Sequence, residues 1–142
     1  MSKYSVLVVD DEADFREIMI KKLHKRGLDC EGAGDGDSAL EMLNPGKHDV
    51  VLLDVKMPGK GGIQTLKEAK QIAPMTEVVM LTGHASVESG IDGIKHGAFD
   101  YLMKPMDVER LIEVLDAAYA RKRTQMEKIE LAQVKKHMVM PS

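Results

Sequence analysis

The stretch His48-Asp49-Val50-Val51-Leu52-Leu53-Asp54-Val55-Lys56-Met57-Pro58-Gly59 decides the fold. Its apolar run is continuous rather than alternating, as a strand buried on both faces requires, and it delivers an aspartate directly into a Pro/Gly loop. Two further runs share that character. Val6-Leu7-Val8-Val9 runs into Asp10-Asp11-Glu12, and Val78-Val79-Met80-Leu81 is followed by Thr82-Gly83. Residues 28–33 and 100–103 are weaker strand candidates.

Amphipathic segments separate these runs. Phe15, Ile18, Met19 and Leu23 mark a helical stripe closed by Gly27, and Asp35 caps a short helix carrying Ala39, Leu40 and Leu43 that ends at Asn44-Pro45-Gly46. Ile63, Leu66 and Ala69 mark a third helix, Val87, Ile91 and Ile94 a fourth, and Val108, Leu111, Ile112 and Leu115 a fifth. Strict β–α alternation predicts an α/β fold with a doubly wound, five-stranded parallel sheet. About 120 residues for five units leaves no room for an eight-fold barrel. The expected strand order is 2-1-3-4-5, which places ligands at the carboxyl ends of the strands beside the switch point.

The chain has 142 residues with 44% hydrophobic and 30% charged content, enough for one packed core and too apolar for wholesale disorder. It has no Trp and only 4% aromatics, so the core must be aliphatic. The single cysteine, Cys30, excludes an internal disulfide framework and fits a reducing compartment. Apolar runs no longer than four residues exclude a membrane span and a signal peptide, so a cytoplasmic location is expected. Charge is uneven: residues 1–120 carry 14 Lys/Arg against 21 Asp/Glu, whereas residues 121–142 carry 6 against 2. The expected division is a globular domain over 1–120 and a basic helical extension or linker over 121–142. Six cations on a helix read as a solvated face, so no direct nucleic-acid binding is expected. No Gly or Pro interrupts residues 107–136, and Met126, Ile129, Ala132 and Val134 form a weak stripe. That extension is either solvated or a dimerising or linker helix.

Three carboxylates follow strands that the topology makes neighbours: Asp10 and Asp11 after the first, Asp54 after the third. Like charges at close range raise a pKa or demand a cation, and oxygen-only ligation suits Mg²⁺. Capping explains Asp11 or Asp14 singly but does not explain Asp54. The fourth strand brings Thr82 to the same cleft and the fifth brings Lys104. Carboxylates, a hydroxyl and an ammonium together make a phosphoryl-transfer site.

The set Asp10-Asp11, Asp54, Thr82 and Lys104-Pro105, with Met57-Pro58-Gly59, Gly97-Ala98 and Tyr101, resembles the receiver domain of two-component response regulators, a CheY-like, flavodoxin-like fold. The resemblance spans residues 4 to about 120, and the Leu-Thr-Gly-His-Ala stretch with the long last helix looks like receivers of σ54-dependent activators. It implies that Asp54 is the phosphoacceptor, charged by a sensor histidine kinase or phosphotransfer protein. It also implies Mg²⁺ on Asp10, Asp11, Asp54 and the Lys56 carbonyl, a Thr82/Tyr101 switch pair and a cis Lys104-Pro105 bond. Phosphorylation would then switch the surface of the fourth helix, fifth strand and fifth helix, with homodimerisation there or through the last helix, and would regulate transcription where an output domain is attached. Such a domain catalyses only its own phosphorylation and dephosphorylation and is otherwise no enzyme. Lys56 and His84 occupy places that tune phosphoryl lifetime in the family.

Two departures matter. The loop reads Gly59-Lys60-Gly61-Gly62 where the family has a single Gly, which puts its rigidity in question. Gly90 and Gly93 weaken the fourth helix by about 1 kcal/mol each relative to Ala, and read either as close packing on the sheet or as a helix built to shift. A haloacid-dehalogenase-like phosphohydrolase would also phosphorylate an Asp, but needs a second carboxylate two residues on, where this chain has Lys56. The five histidines show no ligand spacing and read mostly as surface residues.

Overall fold

A computed structural model describes residues 3–83 and 86–138; His84 lies outside the described residues. The order is β1 (Ser5–Val9), α1 (Ala13–Lys25), β2 (Asp29–Ala33), α2 (Gly36–Met42), β3 (Val50–Leu53), α3 (Gly62–Ile72), β4 (Glu77–Thr82), α4 (Val87–Lys95), β5 (Asp100–Met103) and α5 (Val108–Met138). All four strand pairings are parallel, in the order β2-β1-β3-β4-β5. This is the doubly wound sheet that the alternating pattern predicts.

Alternation along each strand divides the interior in two. Val6, Val8, Val50, Leu52, Val79 and Leu81 point to one face, where Met19 and Leu23 of α1 and Leu111, Leu115 and Ala118 of α5 close over them. Leu7, Val9, Val51, Leu53, Val78 and Met80 point to the other, beneath Ala39 of α2, Leu66 and Ala69 of α3 and Ala98. Burial on both faces explains why β1, β3 and β4 read as unbroken apolar runs. Each fully buried Leu contributes about 2–3 kcal/mol by leaving water.

Local signals end the helices as expected. Gly27 takes φ 85 after α1, and the Asp35 carboxylate accepts the Ser38 N–H at 2.7 Å to cap α2. Two stripes depart from expectation. Ile18 is 53% exposed, and Val87, Ile91 and Ile94 are 78%, 64% and 50% exposed, so the apolar stripe of α4 faces outward. The reason is the opposite face of α4: Gly93 sits so close to Met80 that a Cβ there would stand 2.9 Å from its sulfur. The two glycines therefore serve close packing on the sheet side.

At the amino ends of the strands α5 is fastened by polar contacts. Lys122 Nζ lies 2.6 Å from Asp49 Oδ1, while Asp49 Oδ2 accepts the Ser5 N–H at 2.9 Å. The Tyr4 hydroxyl donates to Asp116 at 2.6 Å, and its ring stacks on Tyr119 with centroids 4.7 Å apart. His48, expected on the surface, is fully buried, its Nδ1 accepting the Asn44 N–H at 3.1 Å. Beyond Lys122 every described residue of α5 is exposed or half-buried, and the helix continues without a break at residue 120.

Lys122→Ala leaves the Asp49 carboxylate without its buried cation. It is expected to lower unfolding free energy by about 1–3 kcal/mol, whereas Arg110→Ala, removing an exposed pair, is expected to cost under about 0.5 kcal/mol. Urea unfolding of both variants checks the contrast.

Candidate functional site at the carboxyl edge of the sheet

Backbone pairing continues one residue past three strands and fixes the side chains that follow. The Asp10 N–H donates to the Ala33 carbonyl at 3.1 Å, the Asp54 N–H to Val9 at 2.9 Å and the Lys104 N–H to Thr82 at 2.8 Å. Each functional group thus leaves from a backbone locked into the sheet. The peptide between Lys104 and Pro105 is cis.

One carboxylate oxygen from each of Asp10, Asp11 and Asp54 falls within 4.8 Å of the others. Asp10 and Asp54 are 2% and 4% exposed, Thr82 is fully buried and Asp11 is open to solvent. Lys104 Nζ lies 2.6 Å from Asp10 Oδ2, 3.7 Å from Glu12 Oε1 and 3.9 Å from Asp54 Oδ2. It also stands 3.9 Å from the centroid of the Phe15 ring. Asp10 is occupied on both oxygens, since Oδ1 accepts the Glu12 N–H at 2.9 Å. Asp54 Oδ1 is buried and makes no hydrogen bond among the described residues.

This environment works against ionisation of Asp54. Burial pushes its carboxyl pKa above the ordinary value and the Asp10 charge adds to that, while Lys104, the Thr82 hydroxyl and the Lys56 N–H pull the other way. An all-oxygen donor set with one buried carboxylate oxygen unpartnered fits a hard divalent cation such as Mg²⁺. Three carboxylates are neutral together with one such ion and one ammonium.

The loop after Asp54 is anchored despite its glycines. The Gly62 N–H donates to the Val55 carbonyl at 2.8 Å, and any Cβ on Gly62 would overlap the backbone of Asp54 and Val55. Lys60 ties the loop to Glu68 at 2.7 Å and Asp37 at 3.2 Å. The Lys56 side chain is exposed, and Tyr101 is half-buried beside α4. Phe15 and Glu12 were not among the residues expected here. Phe15 reads as a core residue on a helical stripe, and only the three-dimensional path of Lys104 brings its ring beneath an ammonium.

The family described as response regulator receiver domain matches residues 6–116. The chain belongs to the response regulator receiver family. This receiver is 34% identical over 127 residues to the DNA-binding transcriptional regulator NtrC of Escherichia coli, covering 89% of the chain and 27% of that protein. It is 39% identical over 121 residues to the transcriptional regulatory protein ZraR of Salmonella typhimurium, covering 85% and 27%. The receiver thus spans about a quarter of the length of these relatives. Among solved structures, a response regulator receiver domain protein from Clostridium thermocellum superposes with a TM-score of 0.82 at 33% identity, over 86% of this chain and 98% of that one. NtrX from Brucella abortus does so with a TM-score of 0.84 at 34% identity, over 92% and 30%. Receivers are signalling domains of two-component systems that bind Mg²⁺ at an acidic pocket and engage histidine kinases or phosphotransfer proteins.

Asp54→Asn removes a buried charge whose folded pKa is raised. A raised carboxyl pKa means that the folded chain holds the proton more tightly than the unfolded one, so stability is lost as pH climbs through the raised value. The variant is expected to be more stable than the native chain at neutral pH without metal by about 1–2 kcal/mol, the gain vanishing below the ordinary carboxylate range. Thermal unfolding from pH 3 to 8 in chelator measures it.

Proposed function

We propose that Asp54 is the phosphoacceptor of this receiver, charged by the phosphohistidine of a sensor histidine kinase or phosphotransfer protein. An Asp54 oxygen forms the new P–O bond as the P–N bond to the donor imidazole breaks, and the imidazole leaves with the electron pair and takes up a proton. The Lys104 ammonium balances charge on the transferred group, and the Thr82 hydroxyl donates a hydrogen bond to one of its oxygens. Asp10, Asp11, Asp54 and the Lys56 carbonyl would hold the metal; Mg²⁺ bound there neutralises phosphoryl oxygens. The receiver catalyses its own phosphorylation and dephosphorylation. The observation that carries this reading is a buried Asp54 with one oxygen unpartnered, the other 3.9 Å from Lys104, and two further carboxylates within 4.8 Å.

In this reading Thr82 and Tyr101 relay the modification to the face of α4, β5 and α5. That face carries an apolar groove of about 1040 Å³ lined by Val87, Ile91, Ile94, Tyr101 and Met103. Residues 1–120 are then the receiver and 121–142 a basic extension or linker, and a homodimer would form either on the face of α4, β5 and α5 or through this extension, where Ile129, Leu131 and Val134 are exposed. Output is transcriptional where a DNA-binding domain is attached, with no direct contact from this chain to nucleic acid, and the setting is the cytoplasm. No helix among the described residues is long and apolar enough to cross a membrane.

Radiolabelled acetyl phosphate with Mg²⁺ is expected to label the native chain and to leave Asp54→Asn unlabelled. Lys104→Ala should slow labelling by about 10²–10³-fold, and Asp11→Ala should raise the Mg²⁺ requirement at least about tenfold. Equal labelling of Asp54→Asn overturns the acceptor assignment. For Lys56, the expected outcome in Lys56→Ala is a changed decay rate of the labelled form; an unaltered half-life removes its role in phosphoryl lifetime.

A further inference from the structure

Tyr101 leans on α4. A Cβ built on Gly90 would stand 3.3 Å from one edge of the ring, and one built on Gly93 3.6 Å from the other. Two glycines one turn apart thus give the ring bare backbone to lie on. Its hydroxyl reaches the start of the same helix, 2.5 Å from Ser89 Oγ and within 3.4 Å of the Ser86 N–H.

Those two serines also cap α4. Ser86 Oγ accepts the Ser89 N–H at 3.1 Å, and Ser89 Oγ accepts the Ser86 N–H at 3.3 Å. Ser89 Oγ further lies 2.8 Å from Ser86 Oγ. A serine hydroxyl has one proton and two lone pairs. With that proton directed to Ser86, its remaining capacity is met by the Ser86 N–H and the Tyr101 O–H. Cap and ring therefore share one oxygen atom.

We infer that Ser89 is a positioning residue of the switch, holding Tyr101 on its glycine seat and coupling departure of the ring to loosening of the α4 start. The inference rests on the receiver reading proposed above, in which Tyr101 changes place when Asp54 is modified. The seat opposes that change. Removing the Ser89 hydroxyl takes one hydrogen bond from the seated state and none from the ring once it has left.

The test is a double-mutant cycle read through Mg²⁺-dependent affinity for beryllofluoride, a phosphoryl mimic. Ser89→Ala is expected to tighten that affinity about 2–10-fold. The same change in a Tyr101→Phe background, where no hydroxyl remains to be held, is expected to move it by less than about 1.5-fold. Ser89→Thr, which keeps the hydroxyl, should stay within about 2-fold of the native chain. A cap that acted only through helix stability would give the same factor in both backgrounds, and that outcome overturns the inference, as does an unchanged Ser89→Ala. A native chain blind to beryllofluoride and Mg²⁺ overturns the site reading itself and the inference with it, so the two failures are distinguishable.

Discussion

Two buried carboxylates share one ammonium at the carboxyl edge of the sheet. Lys104 stands 2.6 Å from Asp10 and 3.9 Å from Asp54, so the nearer acid takes most of its charge. Burying a charge costs several kcal/mol unless it is paired and hydrogen-bonded. Asp10 meets both conditions through Lys104 and the Glu12 N–H. Asp54 meets neither fully. It stays where it is because its backbone is hydrogen-bonded to Val9 and the strand before it is buried on both faces.

The rest of the fold can be understood as what holds that imbalance. Each face of the sheet has its own aliphatic core, so the strands that carry Asp10 and Asp54 are held from both sides. The loop beyond Asp54 is pinned where Gly62 meets the Asp54 and Val55 backbone, and Phe15 sets a ring beneath the ammonium. Cation–π contact with a partly desolvated Lys is worth about 1–2 kcal/mol, which favours keeping Lys104 in the cleft. Stability sacrificed at one carboxylate is recovered across some two dozen buried aliphatic side chains.

Strand order, helix order and the gathering of Asp10, Asp11 and Asp54 were legible in the chain because they depend on periodicity and topology. Short continuous apolar runs that alternate with amphipathic helices read as interior parallel strands, and parallel order brings the ends of β1 and β3 together. What periodicity cannot show is which face of a helix meets the sheet when the buried side is glycine. Val87, Ile91 and Ile94 look like a core stripe, yet Gly90 and Gly93 face the sheet, where the backbone of α4 packs closely on Met80 and Tyr101. His48 was missed for a related reason: a polar residue between strands signals surface unless its partners are known, and those are the backbone of Asn44 and the carboxylate of Glu31. The anchoring of the Gly59–Gly62 loop likewise depends on Lys60 finding acids on two other elements.

The unbroken course of α5 past Lys122 turns the domain into the short arm of a lever. Met138 lies sixteen positions beyond Lys122, roughly 24 Å of helix at 1.5 Å per residue, so a tilt of about 10° at the fulcrum swings the far end by some 4 Å. A displacement too small to disturb the packed sheet is thereby magnified several-fold at the far end of the helix.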